Sequence, residues 1–167
     1  FVGVDIVRPI FFNDDLDKAL LAVPDSGGAL ELDCKRYNAI QQMRSNIKII
    51  GKRRPFYNST FTGLEYGSII NGPLVVDHND VHLSNFGIDS GDAVCQEHYA
   101  GVDQEGLYMW NDGQVIGKPM RTGIVIANLI AICQNSTCLR HAVLVENVNA
   151  NFPNSIRIFQ APLGYVN

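Results

Sequence analysis

Charge is scarce in this chain. Asp, Glu, Lys and Arg make up only 18% of its residues and the formal net charge is -4, so it offers no broad basic surface and nucleic acid is a poor candidate partner. No apolar run reaches the roughly 18 residues of a membrane-spanning helix, and no membrane span is expected. Cysteine is confined to Cys34, Cys95, Cys133 and Cys138, with no CxxC pair and no zinc spacing. Cys133 and Cys138 flank the short QNST loop and can bridge in an oxidising compartment; the alternative is small buried apolar residues or free thiols. Helical periodicity is just as sparse. Leu16, Ala19, Leu20 and Val23 fall at i, i+3, i+4 and i+7, which predicts one amphipathic helix over residues 13–23. Asn13 or Asp14 is expected to cap it, and Pro24 with Gly27 and Gly28 ends it.

What the chain does have is strand and turn composition. Hydrophobic residues make up 46%, with 15 Gly among 167 residues, enough for one domain with a real core. One pattern repeats. In VHLSNFGI, apolar Val81 and Leu83 lead to Asn85, then to apolar Phe86 and Ile88. Ile124, Ile126, Asn128, Leu129 and Ala131 repeat it, as do Val143, Val145, Asn147, Val148 and Ala150. Leu107, Met109 and Asn111 match only its first half. Each copy reads as two short strands with inward residues at alternate positions, joined at a sharp corner. Asn suits that corner because it tolerates left-handed backbone angles and its amide bonds to neighbours. The irregular spacing of the copies predicts an all-β solenoid whose turns stack with loops of differing length between them. A β-sandwich with Asn at its turns is the alternative.

The order of the opening is more specific. A capped helix, Pro24, Gly27-Gly28, the short strand ALELDC (29–34) and then NIKIIG (46–51) resemble the start of the pectate-lyase-like right-handed parallel β-helix superfamily. Residues 1–12 read as an extended lead-in interrupted by Pro9, and the resemblance implies a β-helix over 13–167, whose helix at 13–23 covers the first turn of the solenoid. Bacteriophage tailspikes and polysaccharide-degrading enzymes share this opening. The expected function is therefore a tailspike or receptor-binding appendage that recognises, and in one version degrades, a bacterial surface polysaccharide. Such spikes are trimers of the virion tail. Two other readings stand beside it, a secreted glycoside hydrolase or polysaccharide lyase and a non-catalytic structural solenoid. An uncovered last turn would expose apolar faces, so the winding is expected to continue past Asn167 or to meet a partner chain.

Residues with chemical potential cluster in the middle. On stacked parallel strands about 4.8 Å apart, carboxylates from adjacent turns can meet on one face, and glycoside hydrolysis needs two of them. Asp77, Asp89 and Asp92 are the catalytic candidates. SGDAVC (90–95) also resembles the GDDC signature of the polygalacturonase family. It keeps Asp92, has Ala93 in place of the second Asp, and Arg140-His141-Ala142 stands where that family has GHG. Tyr99, Tyr108 and Trp110 are candidate sugar-stacking aromatics. Arg53, in the basic run Lys52-Arg53-Arg54, is the candidate contact for an acidic glycan. The surrounding segment 52–67 is expected to be a solvated loop. His78 and His82 share a strand face but lie about 13 Å apart, too far to hold one ion; no metal and no cofactor are expected.

Overall fold

Parallel strands dominate the computed structural model, which describes residues 5–57, 59, 63–71, 74–76, 78–89, 121–132, 143–146, 148–151, 157–159 and 163–166. The first sheet runs in the order β1 (Asp5–Val7), β2 (Gly28–Leu32), β4 (Ile47–Gly51), β9 (Val81–Ser84), β11 (Arg121–Ala127) and β14 (Val148–Asn151). The second holds β3 (Arg36–Tyr37), β7 (Ile69–Asn71), β10 (Gly87–Asp89), β12 (Ile130–Ile132) and β15 (Arg157–Phe159). The third holds β8 (Leu74–Val76), β13 (Val143–Glu146) and β16 (Leu163–Val166). Every pairing in these sheets is parallel. Within each sheet the strands lie in chain order, and the described strands take the sheets in rotation from β7 to β10 and again from β11 to β16. The chain is thus all-β with parallel sheets and little helix.

Alternation explains the strands. Ile47, Ile49, Val81, Leu83, Ile124 and Ile126 are buried, while Lys48, Ile50, His82, Ser84, Val125 and Ala127 between them are only partly covered. The inward set joins Ile70, Ile88, Phe86 and Ala131 of the second-sheet segments, and Leu74 and Val76 of the third, in one continuous core.

The predicted helix is present as α1 (Leu16–Leu21), and its buried Leu16, Ala19 and Leu20 belong to the same core. Its cap differs from expectation. Asp15, not Asn13 or Asp14, accepts a hydrogen bond from the Lys18 amide at 3.1 Å. Asn13 and Asp14 instead take left-handed angles, φ 53° and 59°, where the preceding 3-10 helix Pro9–Phe12 ends. The lead-in is therefore a strand, β1, followed by that turn. At the other end of α1, Arg44 donates to the Leu20 oxygen at 2.8 Å and the Pro24 oxygen at 3.0 Å, satisfying carbonyls that the helix leaves open.

The repeated corners fall into place for two of the three copies. Asn85 and Asn128 lie between first and second sheets with φ 61° and 52°. The third copy is one sheet out of step. Val143–Glu146 pairs with β8, and Val148–Asn151 pairs with β11. Its corner therefore joins third sheet to first; Asn147 itself, like Leu107, Met109 and Asn111, lies outside the described residues. The reason is local. An alternating strand, a left-handed Asn and another alternating strand fit any junction between two parallel sheets, so the pattern fixes the corner but not which corner it is.

A second column of left-handed residues runs along the first sheet: Gly27 (φ 114°), Asn46 (61°) and Asp80 (56°) stand just before β2, β4 and β9, and Gly123 (74°) lies within β11. Each stands one residue before the equivalent positions Gly28, Ile47, Val81 and Ile124. Segment 52–67 also departs from expectation, since β5 (Phe56–Tyr57) and β6 (Leu64–Glu65) pair antiparallel across it. Among the described residues, no helix is long and apolar enough to cross a membrane.

Candidate functional site

The hairpin β5–β6 leans on the second sheet at the sequence Tyr66-Gly67-Ser68. Ser68 is fully buried. Its hydroxyl donates to the Leu32 oxygen at 3.1 Å and accepts from the Lys52 amide at 3.0 Å, and its own amide donates to the Arg53 oxygen at 2.9 Å. Gly67 is needed for this approach, because a Cβ there would stand 2.6 Å from the Arg53 oxygen and from the Pro55 nitrogen. The hairpin's two ends are therefore pinned together, and the residues beside the pin have fixed positions.

Tyr66 is one of them. Its φ is 65°, and the residue is 72% exposed. A bulky side chain at a left-handed angle costs on the order of 1 kcal/mol, and here so little of the ring is covered that burial does little to offset it. Arg53 and Phe56 lie close by; the Arg53 guanidinium sits 5.2 Å from the centroid of the half-exposed Phe56 ring. Cys34, Lys35, Arg36, Arg53, Tyr66, Gly67 and Ile69 together line an open groove of about 440 Å³.

Two of the three cations that line this groove are paired. Lys35 pairs with Asp14. Arg36 donates to the Asp89 carboxylate at 3.1 Å, to the Asn71 side-chain oxygen at 2.9 Å and to the Leu64 oxygen at 3.1 Å. Lys52 pairs with Asp33 at 2.8 Å; that hydrogen bond holds the Asp33 carboxyl below the usual carboxylate range and raises the Lys52 ammonium. Arg53 has no acidic partner among the described residues.

Of the residues singled out from the sequence, Arg53 is thus on the groove. Asp89 is 6% exposed and engaged by Arg36 within the second sheet; it is Arg36, through the Leu64 oxygen, that reaches across to the hairpin. Asp77, Asp92, Tyr99, Tyr108 and Trp110 lie outside the described residues, as do Cys95, Cys133 and Cys138. Cys34 is a free, exposed thiol. Sequence reasoning missed Tyr66. The signal for it was faint: a Tyr directly before Gly-Ser at the end of a run that otherwise reads as a loop.

A second groove, about 390 Å³, opens at the leading end of the first sheet and is lined by Ser26, Gly27, Gly28, Asn46, Ile47, Lys48, Asp80 and His82. Lys48 and His82 are register partners on β4 and β9. Burial, with the Lys48 charge beside it, pushes the His82 imidazole below its ordinary value, while Asp80 pulls the other way. Among the described residues, no group of three or more His, Cys, Asp or Glu could hold a metal ion. Comparison of the chain with family models, curated proteins and solved structures found no match.

Proposed function

We propose that this chain is the body of a right-handed parallel β-helix, part of a bacteriophage tailspike or related receptor-binding appendage, and that the Tyr66 groove recognises a bacterial surface polysaccharide. The rotation of the chain through parallel sheets, the capping helix and the left-handed Asn corners support the winding. A stiff body of this kind presents a fixed surface at low cost in conformational entropy, which suits a repetitive polymer. The virion tail or an extracellular setting and a trimeric state follow from the same reading.

The observation that carries the binding role is Tyr66, an exposed ring at a strained angle beside Arg53 and Phe56. Strain of this kind is retained where the side chain is used. An aromatic face takes the apolar side of a pyranose ring, and a neighbouring planar cation takes its oxygens. Recognition is the role that Tyr66, Arg53 and Phe56 support; of the carboxylates, Asp89 is held by Arg36. The test is calorimetric titration of the chain with a panel of bacterial capsular and O-chain polysaccharides, with Tyr66→Asn as control. Binding to one class, lost in the variant, supports the reading; no binding to any member of the panel overturns it. Release of reducing sugar or of ultraviolet-absorbing product would add cleavage.

A further inference from the structure

The Tyr66 groove has a sign. Lys35, Arg36 and Arg53 line it and no carboxylate does, in a chain whose net charge is -4. Asp14 and Asp89 anchor Lys35 and Arg36 without entering the lining. Arg53, carrying a charge that no described acid neutralises, lies over the Phe56 ring, where contact with the aromatic face steadies its planar fork.

Resting on the polysaccharide reading above, we infer that the groove selects polymers whose repeating unit carries an oxyanion, a uronic-acid carboxylate or a phosphodiester. Arg53 supplies two parallel N–H donors to that group, and Tyr66 takes the face of the adjoining sugar. Nucleic acid shares the anion but fits poorly. Its binding draws on a long row of phosphate contacts, whereas here the cations occupy one short groove on an acidic chain.

The experiment titrates the chain with uronate-containing capsular polysaccharides, each beside its own carboxyl-reduced form, with a phosphodiester-linked glycan, and with duplex DNA. Expected are at least about tenfold tighter binding to the charged form than to the reduced one, and loss of that advantage as salt rises from about 0.05 M to about 0.5 M. Arg53→Gln is expected to abolish the difference and Arg53→Lys to keep part of it, both with unchanged far-ultraviolet circular dichroism. The carboxylate and phosphodiester arms then show which oxyanion is preferred. Equal affinity for native and reduced glycans overturns this inference and leaves the polysaccharide reading standing. Failure to bind any glycan overturns both, and duplex DNA binding as tightly as the charged glycans replaces selection with general attraction for polyanions.

Discussion

Asn128 donates its side-chain amide to the side-chain oxygen of Asn85 across 2.6 Å, one corner resting on the next. Both backbones are left-handed, so each Asn serves twice, tolerating the angle and bonding its neighbour. Replacing Asn85 by Gly keeps the angle and removes the bond, for an expected loss of about 1 kcal/mol. Asn85→Ala adds the backbone penalty, for a total of about 2 kcal/mol. Urea unfolding of the two variants separates the terms; equal losses would mean that the angle carries no weight of its own.

Beneath that corner, Gly51 makes room for the chain. A Cβ on Gly51 would lie 2.1 Å from the Asn85 oxygen and 2.8 Å from the Phe86 Cβ. The first neighbour is backbone and cannot turn away, so the strands must separate. Gly51→Ala is expected to cost about 3 kcal/mol or more, read as a fall in urea midpoint at unchanged slope. Gly27 is the comparison, since its Cβ would meet the Asn46 side chain at 3.1 Å and the penalty of Gly27→Ala would come chiefly from its φ of 114°.

These corners show what the sequence could and could not convey. Alternation around Asn85 and Asn128 was readable because inward residues of a parallel strand must be apolar at every second position. The same grammar at Asn147 was readable as a corner but not as a place, because all junctions between parallel sheets make equal local demands. The column of Gly27, Asn46, Asp80 and Gly123 was hidden for another reason. Different residue types satisfy one backbone angle, so no repeated letter marks it. Asp89 looked chemical as one of several acids, yet its partner Arg36 lies far away in sequence and only folding brings them together. Tyr66 carried no pattern at all, since its significance is an angle.

His82 makes stability depend on pH in a definite direction. Burial, then the facing Lys48, lower its folded value, and Asp80 is the opposing charge; the register partner on β11 is the apolar Val125. The unfolded imidazole keeps a value near 6.5, so below it the unfolded state binds more protons. The contribution is therefore complete above about pH 6.5 and is lost as pH falls through the folded value. His82→Gln is expected to flatten the difference in urea midpoint between about pH 7.5 and about pH 5. A variant with the wild-type slope would place the pH dependence elsewhere.

Tyr66 offers the sharpest separation of stability from use. Its φ of 65° favours Asn or Gly, and its ring is largely exposed. Tyr66→Asn removes little burial and relieves the angle, so the folded state is expected to gain up to about 1 kcal/mol, seen as a higher urea midpoint. Polysaccharide binding is expected to fall in the same variant by at least about tenfold. Tyr66→Phe keeps ring and strain alike, and is expected to keep most of the binding with no gain in stability. The opposite pairing, in which Tyr66→Asn is less stable but binds normally, would assign the ring a packing role and remove it from the binding surface.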